Sequence, residues 1–114
     1  MQQLDEFRLT LLQQQAELEA RGAAIEADIR GERQQLSADW EDQSQEREND
    51  EVLAALYRQT QIELHEIHKA LQRIEHHNYT RCAECCGEIE IERLRALPRT
   101  ELCARCVHDL EDAI

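Results

Sequence analysis

With 114 residues, 33% of them charged and only 4% aromatic, the chain is long enough for one small domain with a modest core. Its formal charge of −12 repels phosphate, which argues against direct recognition of nucleic acid or of an anionic membrane surface. No apolar run approaches the roughly 18–20 residues of a membrane span, and no signal-type apolar stretch opens the chain, so the expected location is cytoplasmic.

The first 77 residues contain no Pro and two Gly, Gly22 and Gly31, a composition rich in Glu, Gln, Arg, Leu and Ala that suits long exposed helices. The first segment carries a loose apolar seam of Leu4, Phe7, Leu11, Leu18 and Ile25, with Ile29 and Leu36 following after a phase shift. Gln14, Arg21 and Asp28 interrupt its alternate positions, which predicts looser packing on that side. From Leu53 the pattern is regular: Leu53, Tyr57, Thr60, Leu64, Ile67, Leu71 and Ile74 alternate steps of four and three, a heptad seam that faces a partner helix.

Between the two seams lies Leu36-Ser37-Ala38-Asp39-Trp40-Glu41-Asp42-Gln43-Ser44, where the apolar stripe stops. Asp42 with Gln45 three residues on resembles a capping box, so a turn and a new helix start are expected here. The reading is two antiparallel helices folded into a hairpin over residues 1–77, each of roughly 30–35 residues and about 45–50 Å long at 1.5 Å per residue. One continuous helix in a parallel coiled-coil dimer is the alternative; the broken stripe and the unmatched seams favour the hairpin, and with it a monomer. Residues 39–51 hold seven acids and one Arg. Acids near a helix start are ordinarily a solvated cap. The functional reading is that Asp39 and Asp42 at the end of a hairpin are carboxylates delivered to a partner, and Trp40 between them has little core to bury against.

Residues 78–114 change character. Cys82-Ala-Glu-Cys85 and Cys103-Ala-Arg-Cys106 are two C-x-x-C knuckles separated by 17 residues, inside the spacing window of structural zinc sites. Two residues between ligands let one tight turn aim both thiolates at a tetrahedral ion. Four protein ligands leave no open coordination position, so one structural Zn²⁺ is expected, and a metal-dependent enzyme is not. Zinc binding also contributes folding free energy to a segment with few core residues. A redox C-x-x-C pair is the bland alternative, but the strand–helix scaffold such motifs use is missing. Cys86 can replace Cys85 only with poorer knuckle geometry and reads as a spare thiol. His65, His68, His76, His77 and His108 could bind metal, yet four thiolates already complete a site; His65 and His68, at or near the edge of the second helix's stripe, are read as solvated positions. A short C-terminal helix, roughly Glu101 to Asp112, is expected to pack at the hairpin base. The segment holds five Arg against eight acids and has no basic stripe for DNA. The fold class is therefore mainly α: a long antiparallel coiled-coil hairpin with a small four-cysteine zinc-finger module and a short C-terminal helix at its base.

Tyr79-Thr-Arg-Cys82-Ala-Glu-Cys85, Ile89-Glu-Ile91-Glu-Arg93-Leu94-Arg-Ala96-Leu-Pro98 and Leu102-Cys103-Ala-Arg-Cys106 together resemble the zinc-finger signature of the DksA/TraR family of bacterial transcription regulators. Asp39-Trp-Glu-Asp42-Gln-Ser44 resembles that family's hairpin-tip motif, and the separation of the two motifs fits without a gap. The resemblance implies a non-enzymatic regulator that inserts its hairpin into the secondary channel of bacterial RNA polymerase. There it would alter promoter open complexes without binding DNA. Asp39, Asp42 and Ser44 would be the functional tip residues, and Cys82, Cys85, Cys103 and Cys106 the metal ligands. Two departures stand out. Cys86 occupies the place where the family usually has Gly. Several members also act with guanosine tetraphosphate, held by basic residues near the base; the matching positions here are Glu66, Leu97 and Val107, which cannot pair with phosphate. Weak dependence on the nucleotide, or none, is expected. The longer N-terminal extension of some members is expected to be missing. Without the resemblance, the runner-up function is a zinc-stabilised coiled-coil adaptor for another protein.

Overall fold

The computed structural model describes residues 2–35 and 43–112, with side chains described for 3–31 and 48–112. The turn between the long helices, with Asp39, Trp40 and Asp42, lies outside the described residues, as do the side chains of Ser44 and Gln45. Four helices follow in chain order: α1 (Gln2–Gln35), α2 (Gln43–Glu75), α3 (Ile91–Ala96) and α4 (Ala104–Asp112). No helix among the described residues is long and apolar enough to cross a membrane.

The chain divides into two compact units, residues 1–14 with 66–114, and residues 15–65. In each, α1 and α2 lie antiparallel, which is the helical hairpin expected from the seams. In the 15–65 unit, Leu18 and Ile25 of α1 are buried and the α2 residues Leu53, Tyr57 and Leu64 are half-buried around Thr60. Thr60 is buried although polar; its hydroxyl donates to the Leu56 carbonyl at 2.9 Å, which satisfies it within its own helix. Tyr57 donates to Glu26 Oε1 at 2.8 Å, and that bond holds its phenol above the usual tyrosine range.

The seam of α1 departs from the heptad expectation in one respect. Past Leu18 the inward position falls on Gly22, which is buried, while Arg21 and Asp28 are exposed and Ile29 is half-buried. Phe7, Leu18 and Ile29 are thus spaced by eleven residues, the repeat that a helix of about 3.67 residues per turn keeps on one face. Gly22 carries no side chain to advertise this. A Cβ built there would meet Thr60 Cγ2 at 3.4 Å, so the small residue lets the α2 seam come close.

In the other unit, Phe7 and Leu11 of α1 are buried, as are Ile67, Ala70 and Ile74 of α2, and Tyr79, Cys82, Ile89 and Leu94 complete the core. Phe7 and Tyr79 pack with ring centroids 5.3 Å apart and planes tilted by 48°. α2 ends with His77 at φ 60°. Asn78 N–H bonds the Arg73 carbonyl at 2.9 Å and His77 N–H the Ile74 carbonyl at 3.2 Å, a Schellman closure with histidine where glycine is usual. α3 is a helix that periodicity did not reveal; it turns on the fully buried Leu94. The C-terminal helix begins at Ala104, three residues later than expected. Ahead of it, the Thr100 hydroxyl accepts from Leu102 N–H and donates to the Leu102 carbonyl, holding a loop through Glu101.

Candidate metal centre

The two knuckles are built differently. Around the first, Cys82 N–H bonds the Gly87 carbonyl at 2.7 Å, Cys86 N–H bonds the Cys82 carbonyl at 3.1 Å, and Gly87 N–H points at Cys85 Sγ from 3.4 Å. Arg81 and Glu88 form an isolated antiparallel bridge that closes this turn. The second knuckle is the start of α4: Cys103 precedes the helix and Cys106 lies in its first turn. Ala83 N–H bonds the Glu101 carbonyl at 2.8 Å, and Cys103 N–H points at Cys82 Sγ from 3.4 Å, so backbone bonds hold the two knuckles face to face.

This brings Sγ of Cys82, Cys85, Cys103 and Cys106 within 4.8 Å of one another, a group able to hold a metal ion. Cys85 and Cys103 sulfurs are 3.9 Å apart. A tetrahedron of thiolates about 2.3 Å from a central ion has edges of about 3.8 Å, whereas a disulfide needs about 2.05 Å. The donor set therefore fits an ion and not a pair of bridges. The electrostatics agree. Backbone N–H groups of Cys85 and Cys103 hold the Cys82 thiol down to about 6, whereas hydrogen bonds to Cys103 and then Cys82 push the Cys106 thiol up. Four crowded thiols cannot all ionise unless a cation sits among them.

Cys82 is buried, Cys103 and Cys106 are half-buried, and Cys85 is exposed. Cys86 is exposed, lies outside the cluster, and has φ 62°. This left-handed conformation is the physical reason a glycine suits the position. Gly87 has ordinary φ, but a Cβ on it would come within 3.3 Å of Cys85 Sγ. Cys86→Gly is therefore expected to stabilise the metal-loaded protein by about 1 kcal/mol, the strain of a left-handed L-residue. Urea denaturation at fixed metal concentration reads this. No histidine joins the cluster: all five are exposed, and His108 Nε2 lies 3.3 Å from Asp112 Oδ2.

Other residues that position the cluster carried no motif. The Arg73 guanidinium donates to the carbonyls of Asn78 and Arg81, tying the end of α2 to the first knuckle. Arg93 Nε donates to the Leu102 carbonyl at 2.9 Å beside the second. Tyr79 OH donates to the Pro98 carbonyl at 2.7 Å, and burial pushes its phenol up to about 12. Lys69 Nζ meets Glu101 Oε1 at 2.7 Å, joining α2 to the loop before Cys103.

A helical hairpin carrying a four-thiol cluster at its base defines a class of metal-stabilised hairpin proteins. Comparison with known proteins narrows the class. The family model of the DnaK suppressor protein-like (DksA-like) N-terminal domain matches residues 7–74. The chain belongs to that family. Its fold superposes on the structure of the transcription factor DksA2 from Pseudomonas aeruginosa with a TM-score of 0.93, covering 99% of this chain and 86% of that one at 27% identity. An uncharacterized protein of Aquifex aeolicus (strain VF5) is 38% identical over 81 residues, which are 71% of this chain and 56% of that protein.

Proposed function

We propose that this protein is a transcription factor of the DksA type that binds bacterial RNA polymerase directly and bears one structural Zn²⁺ on Cys82, Cys85, Cys103 and Cys106. The observation that carries the reading is the match along 99% of the chain to a transcription factor, at 27% identity. The hairpin enters the secondary channel and presents Asp39 and Asp42, with Ser44 as the small residue beside them. Their carboxylates change the stability of promoter open complexes. The protein neither binds DNA nor catalyses a reaction, and acts as a cytoplasmic monomer. Its charge of −12 supports a partner that itself binds nucleic acid. Zinc suits four thiolates in tetrahedral array, and the ion supplies no chemistry beyond cross-linking the two knuckles. Glu66, Leu97 and Val107 support action with little or no help from guanosine tetraphosphate.

The test is the lifetime of open complexes between bacterial RNA polymerase and a ribosomal-RNA-type promoter. The wild type is expected to shorten it. Asn caps a helix about as well as Asp, so the Asp39→Asn/Asp42→Asn variant should fold and bind polymerase yet leave the lifetime unchanged. If the wild type has no effect either, the adaptor reading replaces this one.

A further inference from the structure

One pocket in the 1–14/66–114 unit is a cavity of about 420 Å³ lined by Gln14, Glu66, Ala96, Leu97, Pro98, Arg99 and Thr100. Its lining contains one cation and one acid. Arg99 Nε donates to Gln14 Oε1 at 3.0 Å, and its Nη1 lies 3.9 Å from Glu66 Oε2. Arg99 is only about one-quarter exposed, whereas Glu66 is about half exposed at the mouth. Two backbone donors of the wall are committed as well. Leu97 N–H bonds the Arg93 carbonyl at 2.7 Å, Thr100 N–H bonds the Leu97 carbonyl at 3.1 Å, and Pro98 has no N–H. The Thr100 hydroxyl donates to the Leu102 carbonyl.

We infer that this pocket is closed to phosphate-bearing ligands by its own carboxylate, Glu66, and that this residue decides the class of ligand the pocket can take. A diphosphate approaching Arg99 would have to displace Glu66 and then remain beside it, at a separation where like charges repel strongly. The backbone N–H groups of Leu97 and Thr100 are already bonded and do not compensate. The inference gives the nucleotide-independent part of the proposed function a physical cause and rests on that reading. It concerns the free protein, so its test does not involve polymerase.

The consequence is a gain of binding. Inorganic pyrophosphate is titrated calorimetrically into metal-loaded wild type, Glu66→Gln, Glu66→Lys and Glu66→Lys/Arg99→Ala, with helicity checked for each. Wild type should show no saturable heat. Glu66→Gln should bind weakly. Glu66→Lys should bind roughly tenfold or more tightly than Glu66→Gln, because a further positive charge stands beside the ligand. Loss of that binding in the double variant would place the anion on Arg99. Wild-type binding equal to that of Glu66→Lys would overturn the inference, and so would absence of binding in every variant. Binding that survives Arg99→Ala would also overturn it, since the anion would then not be using the pocket. Failure of the promoter assay with pyrophosphate results as expected would sink the polymerase reading and leave the pocket assignment standing.

Discussion

Cys82→Ser is expected to abolish stoichiometric metal binding and to unfold the segment around the two knuckles. Cys82 is the most buried of the four thiols, 1% exposed, and its sulfur receives the Cys103 N–H, so it belongs both to the ion and to the bond network between the knuckles. Structural zinc contributes about 10–16 kcal/mol of apparent binding free energy in small peptides near neutral pH. A domain of this size has a total stability of about 5–15 kcal/mol. Loss of the ion is therefore comparable with the whole margin. Metal content by colorimetric release should fall from about one equivalent to near zero. The thermal transition should broaden and drop, and a strong chelator should reproduce the effect in wild type, reversibly on adding zinc. Cys86→Ser should retain the metal. Retained metal and an unchanged transition in Cys82→Ser would show that the ligand set has been misassigned. Acid should release the ion too, since each ligand has to be deprotonated to bind.

Phe7→Ala should destabilise the protein by about 3 kcal/mol, near the lower end for deletion of a buried aromatic. Phe7 is 6% exposed and packs on Tyr79, whose hydroxyl is committed to the Pro98 carbonyl. One ring thus joins the first turns of α1 to the segment that carries the first knuckle. Removing it opens a cavity beside Ile74 and Tyr79, and Tyr79 cannot collapse into it without straining its bond to Pro98. Urea denaturation of the metal-loaded protein measures the loss. Leu9→Ala is the comparison, since Leu9 is 62% exposed and should change stability by less than about 0.5 kcal/mol. Equal losses for the two variants would mean that Phe7 does not connect helix and finger in this way.

The thiol cluster was legible in the chain because chelation is a local problem. Two residues between ligands suffice to aim both thiols of a knuckle, so Cys82, Cys85, Cys103 and Cys106 could be paired before any tertiary contact was known. The α2 seam was legible for a related reason: Thr60, Ile67 and Ile74 are all buried, and seven-residue spacing keeps them on one face. Gly22 was not legible, because a buried glycine leaves no hydrophobic signal. Nor was α3, since six residues hold too little periodicity to distinguish a helix turn from a loop. The left-handed backbone at Cys86 was hinted at only by the glycine that the family places there.

Residue spacing within a few turns was enough to set the types of the long elements and the four thiols, and the break in the apolar stripe favoured antiparallel pairing. Which distant groups meet was settled by the folded chain alone: Tyr79 with Pro98, Lys69 with Glu101, and Arg99 with Gln14, 85 residues away. Those contacts depend on the register at which α1 lies against α2 and on the path of the loop between α3 and α4. Burial of whole faces sets both at once, and no local pattern encodes the result.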